Sequence, residues 1–482
     1  MKFILKKFLA YFLLLSSVSC FASSKRTFLM PRSFNTNLAM QYTIWHDHIF
    51  NYPYKDQSNL QFTPFFQASD QGDDIGKYFG VGNGKNSFII TTQNTVQAGN
   101  ADITNRYLIH DNANAISNRK GTVYLTPKQQ AGGLRLDFFQ HLKFPFKGTF
   151  FQASMPIVYL ENDINYEVKN VSNDANNTIL DFFKGNQITQ PATNAQNPLT
   201  SAKLHPARQS AFGVADIDLS YGYKFVAQDN KHLFLNIAVT IPTGNRVRGE
   251  YLFEPIYGNG HHVALGWGLD AGLRLWKKDR HCGKLLFAFT HRYLFEGTEK
   301  RTIPLNRVDF KYAHYYLTGR NGDSQGTALT PAANLLTQDL SVRPGNQFDA
   351  IALFNFYSSK FLIDIGYNFY AKESESISLK STWNDDTYGV AALDYNVNYA
   401  GSRPFNPTNN AHAIFAINNS TLDIQGAGTP SQLTHKIFGA LGYKFTIIDN
   451  PASIGIGGSY EFVNSNNALE NYAFWAKLGL SF

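Results

Sequence analysis

From His262 to Trp276 the chain sorts its side chains by parity. Val263, Leu265, Trp267, Leu269, Ala271, Leu273 and Leu275 fall on one face, while Ala264, Gly266, Gly268, Asp270, Gly272 and Arg274 fall on the other. Period two is the repeat of a β-strand, so the segment reads as a strand with one apolar face and one small or polar face. The pattern recurs from Leu134 to Phe144, Phe151 to Tyr159, Ala215 to Phe225, Leu233 to Ile241, Leu285 to Phe295 and Phe348 to Phe356. It continues from Phe361 to Ala371, Leu433 to Phe445, Ile454 to Phe462 and Tyr472 to Phe482, with a weaker first member from Leu38 to Asp47. These twelve segments run roughly nine to thirteen residues, the length a tilted strand needs to cross a bilayer.

Formal charge separates the two faces. The apolar face of all twelve segments carries no Asp, Glu, Lys or Arg. The opposite face carries both signs, with Arg135, Arg274, Arg292, Lys436 and Lys477 against Asp137, Asp216, Asp218, Asp270, Asp349 and Asp364. A lipid-facing band penalises Lys or Arg by about 2–4 kcal/mol near the midplane, which accounts for such a separation. Connection lengths then alternate long and short, as tight turns at one rim and long loops at the other require. The long ones are 50–133, 160–214, 242–262, 296–347, 372–432 and 463–471. The expected fold is therefore all-β, a transmembrane antiparallel up-and-down barrel. Twelve strands are expected, or fourteen if Leu60 to Phe66 and Ser87 to Thr92 also cross. Closure is required because an open sheet edge has no hydrogen-bond partner in hydrocarbon. An even count places both termini at the short-turn rim. Pro156 cannot donate to a ladder and predicts a bulge.

Composition agrees once the two faces are separated. The 482 residues are 43% hydrophobic and 16% charged, with a mean hydropathy of −0.27. Long polar loops and a polar interior dilute the apolar bands. Disorder is excluded by the 40 Phe and 26 Tyr, and a disulfide scaffold by only two cysteines. Only the first twenty-odd residues approach the apolar length of a membrane helix.

That first stretch has Lys2, Lys6 and Lys7, an apolar run from Phe8 to Leu15, and small residues to Ala22. The layout is that of a secretory signal peptide spanning 1–22, leaving 23–482 as one barrel domain with its loop insertions. Processing as a lipoprotein at Cys20 is the alternative reading. Cleavage after Ala22 lowers the formal net charge of +7 by three and leaves Cys282 without an intrachain partner.

The last strand, with Tyr472, Phe474, Leu478, Leu480 and terminal Phe482 alternating to its end, resembles the closing strand of bacterial outer-membrane β-barrel proteins. The resemblance implies an outer-membrane location, a lipid-bilayer environment and a final strand read by the barrel-assembly machinery. A weaker likeness is carried by Val239-Thr240-Ile241-Pro242-Thr243-Gly244-Asn245. This strand exit is similar to those of phenol-degradation-type and fatty-acid-transporter-like outer-membrane channels.

No catalytic constellation emerges. His46 and His48 share a strand face and read as rim residues rather than metal ligands. Asp385-Asp386 has no assignable His partner, and Gly80-Val81-Gly82-Asn83-Gly84 lacks the strand-to-helix setting of a dinucleotide loop. Scattered basic residues argue against nucleic acid. The expectation is a porin-like channel or small-solute transporter without cofactor, metal or covalent chemistry. Its lumen would be lined by the eleven charged residues named above, whose mixed sign implies modest ion preference. A plugged, partner-binding barrel and an outer-membrane hydrolase are the alternatives.

Overall fold

Twelve antiparallel strands close into a barrel in the computed structural model, which describes residues 26–45, 58–80, 85–91, 102–104, 108, 120–143, 146–172, 174, 177–187, 196–205, 207–306, 312–320, 329–391, 413–463 and 465–482. The proposed leader, with Cys20, and the pair His46 and His48 lie outside the described residues. The wall strands are β1 (Ser58–Asp70), β2 (Lys128–Leu142), β3 (Thr149–Asp163), β4 (Ile217–Gln228), β5 (Lys231–Ile241) and β6 (Ala264–Lys278). They continue with β7 (His281–Leu294), β8 (Gly345–Ser358), β9 (Phe361–Lys372), β10 (Gln432–Ile447), β11 (Asn450–Val463) and β12 (Glu470–Ser481). Each pairs with its chain neighbours, and β1 pairs with β12 to close the ring.

The count of twelve stands, but its first member is different. Leu38 to Asp47 is not a strand: Leu38–Tyr42 forms a short helix, α1, whose start is capped by the Asn37 side chain accepting from the Met40 amide at 3.2 Å. Its period-two apolar residues reflect burial on all sides within the barrel, not contact with lipid. The true β1 contains Leu60 to Phe66, part of the hairpin considered as extra strands. Pro64 lies on it, and the β1–β12 ladder has no pairing for Thr63 and Pro64 between Phe62↔Leu478 and Phe65↔Trp475. A proline without an N–H gives that gap its cause. Ser87–Thr91 does not cross; it joins a small sheet outside the barrel.

Pro156 has its irregularity on the neighbouring strand. It pairs in register with Arg135 on one side. On its other side the chain is split into a thirteenth, edge strand (Gln209–Val214) and β4, broken at Ala215-Asp216.

The outer wall is apolar throughout its length, with Phe66, Tyr159, Ile237, Leu265, Leu285, Ile365, Ile437, Ile456 and Phe474 exposed. At one rim the turns are tight: Ile448 and Asp449 both adopt positive φ, as a two-residue primed hairpin requires. At the other rim the described parts of the long loops do not spread into solvent. Short sheets and helices drawn from them share one hydrophobic core that includes Phe79, Phe88, Phe183, Tyr315, Leu340 and Trp383. The loops thus form a folded cap. The stretches 372–391 and 413–432 belong to it, contributing Ile377, Trp383, Val390 and Ile417.

Candidate functional site: a segment threaded through the lumen

Residues 26–45 run along the barrel interior from the cap to the short-turn rim. At the cap, Arg26 donates to the carbonyls of Gln425 and Gly428 at 2.8 Å, and the Met30 amide donates to Thr429 Oγ1 at 2.9 Å. At the far end Trp45 is buried among Phe139, Phe150 and Phe234. The described chain therefore begins at the long-loop end, while the first wall strand starts at the short-turn rim, where Ser58 exchanges backbone hydrogen bonds with Phe482.

Between those ends the segment meets the inner wall through polar contacts. Arg32 reaches across to Asp349 at 2.8 Å, Glu461 at 2.9 Å and Asn368 at 3.1 Å, with its guanidinium 4.4 Å from the Tyr370 ring centre. Glu461 also takes Lys436 at 2.9 Å. One buried cluster thus holds two cations and two carboxylates, so little uncompensated charge is left in a poorly solvated space. Further down, Asn35 donates to Asp218 at 3.0 Å, while Arg292 holds the same carboxylate at 2.7 Å. Arg135 pairs with Asp137 at 3.0 Å and reaches the carbonyls of Phe34 and Asn35 at 3.4 and 3.3 Å.

After α1 the contacts are to backbone. The Lys477 ammonium takes the carbonyls of Met40, Gln41 and Thr43, groups that a helix end leaves unpaired. Tyr42 hydrogen-bonds Asp270. The Ile44 amide donates to Asp364 at 2.6 Å, and Asn355 donates to the other oxygen of that carboxylate at 2.7 Å. Ile44 has φ of 67°, a conformation that a β-branched residue avoids. Its side chain fits a notch in the wall made by Gly442 and Gly455, where an added Cβ would stand 2.9 and 2.3 Å from Ile44 atoms. Strain of this type persists only where the surroundings over-determine the backbone.

Of the eleven residues expected to line a pore, nine contact this segment or one of its direct partners. They are Arg135, Asp137, Asp218, Asp270, Arg292, Asp349, Asp364, Lys477 and, through Glu461, Lys436. The other two differ. Asp216 precedes β4 and accepts from the amides of Gly244 and Asn259 at 3.2 and 2.7 Å, fixing the Pro242-Thr243-Gly244 turn inward. Arg274 sits near the short-turn rim beside His232 and Lys284.

Sequence reading missed Arg32, Asn35, Tyr42 and Ile44 as one functional unit because a threaded segment has no periodicity of its own. It also passed over His262, which is fully buried. His262 Nε2 lies 2.7 Å from Glu299, and Arg301 holds both Glu299 (2.7 Å) and Glu375 (2.5 Å) beneath the Phe28 ring. This cluster joins the cap to the top of the threaded segment. Burial pushes the Glu375 carboxyl up, but the charges of Arg301 and Lys372 outweigh it and hold the group well below its ordinary value. Among the described residues no group of three or more His, Cys, Asp or Glu side chains could hold a metal ion.

No family model matches this chain, and no curated protein matches it. Among solved structures, the COG4313 outer membrane channel from Pseudomonas putida F1 aligns over 90% of this chain and 98% of its own, at 10% identity and a TM-score of 0.39. A FadL homologue from Pseudomonas aeruginosa aligns over 94% and 99%, at 9% identity and a TM-score of 0.31. The transport unit of the autotransporter AIDA-I from Escherichia coli aligns over 89% and 90%, at 9% identity and a TM-score of 0.33. Scores this low add nothing to what the strand order of this chain establishes.

Proposed function

We propose that this chain is an outer-membrane transport protein for small solutes, closed in the state described by its own residues 26–45 and acting without covalent chemistry. The supporting observation is how that segment is held. It makes no strand ladder with the wall; its wall contacts are side-chain hydrogen bonds, ion pairs and one glycine notch. Such contacts can be exchanged for water, whereas a ladder cannot leave without opening the barrel. With the segment withdrawn, Arg135, Asp137, Asp218, Asp270, Arg292, Asp349, Asp364, Lys436 and Lys477 would line a wet path of mixed sign, giving weak ion selectivity.

Bilayer recordings of the refolded protein and of a variant lacking 26–45 test this reading. The full chain is expected to be closed with brief openings, and the deletion to conduct steadily. Silence of both, with no solute flux into liposomes, would discard transport. The cap gives the second reading, a partner-binding barrel, its own support, because a folded external head with a single core offers a rigid surface.

A further inference from the structure

Arg32 is the only charged residue between 27 and 45, and the wall receives its guanidinium as a receptor receives a ligand. It donates to Asp349 at 2.8 Å, to Glu461 at 2.9 Å and to the Asn368 side-chain oxygen at 3.1 Å, and it lies over the Tyr370 ring. These four groups stand on β8, β9 and β11, so they remain with the barrel when the segment leaves. Two carboxylates, an amide oxygen and an aromatic face are all acceptors for a planar cation.

The receptor is held in shape by contacts that do not involve the segment. Asn368 donates to the other oxygen of Asp349 at 2.5 Å and to the Ala350 carbonyl at 2.9 Å, which turns its own oxygen toward the guanidinium. Glu461 accepts from Lys436 at 2.9 Å, from Asn471 at 3.3 Å and from Thr434. A site ordered in this way spends little of its binding energy on rearrangement.

Charge then specifies the occupant. Without Arg32 the wall here sets Asp349 and Glu461 against Lys436 alone, because the next cation, Arg292, is held by Asp218. The side chains of Asp349 and Glu461 are only 1% and 3% exposed. One buried negative charge is therefore left uncompensated, which a neutral solute does not relieve and an anion makes worse. Asn471 Oδ1, buried without a hydrogen-bond partner, lines a cleft beside the guanidinium and offers one more acceptor.

We infer that the place now taken by Arg32 is a solute site, and that its solute is a monocation carrying a guanidinium group, which binds by displacing Arg32. The inference rests on the transport reading above and names its substrate class. Arg32 makes the only ion pairs of the threaded segment among the described residues, so a solute that takes its place also releases the closure.

Calorimetric titration of the detergent-solubilised full chain with propylguanidinium and its neutral isostere propylurea tests this. Arg32→Ala vacates the site and removes the internal competitor, so it is expected to bind propylguanidinium one to one and about tenfold or more tightly than the parent. Adding Asp349→Asn is expected to reverse that gain, and propylurea to bind neither variant. Arg32→Gln gives the same comparison if Arg32→Ala loses its heat-modifiable barrel. Binding no tighter than in the parent, or no tighter than that of propylurea, would overturn the proposal. Liposome uptake by the chain lacking 26–45 separates this inference from the transport reading. A deletion variant that conducts but takes up both compounds equally overturns the substrate class alone. One that neither conducts nor takes up either compound removes transport and this inference with it.

Discussion

The guanidinium of Arg32 lies 2.8 Å from the carboxylate of Asp349, joining a segment that precedes the first wall strand to a residue on the eighth. Both groups are shielded from solvent, and Glu461 and Lys436 complete the cluster. Removing one member of a buried ion pair strands its partner and costs about 3–5 kcal/mol.

Arg32→Ala is accordingly expected to loosen the threaded segment by that order while leaving the β1–β12 seam intact. Planar-bilayer recording should show open probability rising at least tenfold over the parent, with an unchanged heat-modifiable band on gels. Unaltered gating would mean that this cluster does not hold the segment closed.

Ile44 offers an independent handle at the other end. Gly442→Val places a side chain where Ile44 now sits, since a Cβ there would already stand 2.9 Å from it. Expulsion of residues 43–45 is expected, read as faster labelling of a cysteine placed at Thr43 by an external thiol reagent. Equal labelling in both backgrounds would show that the notch is not occupied in the membrane.

The seam is closed at its end by the Ser58 and Phe482 backbones, which exchange hydrogen bonds at 2.8 and 3.0 Å. Deleting Phe482 removes that pair and the last outward aromatic. Pulse-chase assembly should show slower conversion to the folded form, and the folded fraction should unfold at a lower urea concentration.

In the cap joint the Glu375 carboxyl is held below its ordinary value by Arg301 and Lys372. A carboxyl whose folded value is depressed contributes stability that is complete above its unfolded value, about 4.5 for Glu375, and is lost as pH falls toward the folded value. Limited proteolysis should therefore find the cap resistant at neutral pH and increasingly cleaved below about pH 4.5, with the barrel still folded. Glu375→Gln should be cleaved readily even at pH 7.

Parity of side chains along eleven of the twelve wall strands was enough to place them, because lipid on one side and a polar lumen on the other impose opposite chemistry on alternate residues. Asp349, Asp364 and Lys477 could be assigned to the interior on that ground alone. What they touch could not. Leu38, Met40, Tyr42 and Ile44 satisfy the same period inside the barrel, where every direction is buried, so a helix and a tail passed for a strand, and Pro64 disguised the strand that closes the ring. The lipid-facing pattern is a local property of each strand and is written in its sequence. Which segment fills the lumen depends on contacts between residues hundreds of positions apart, such as Arg32 with Asp349, and only the closed tertiary structure brings those together.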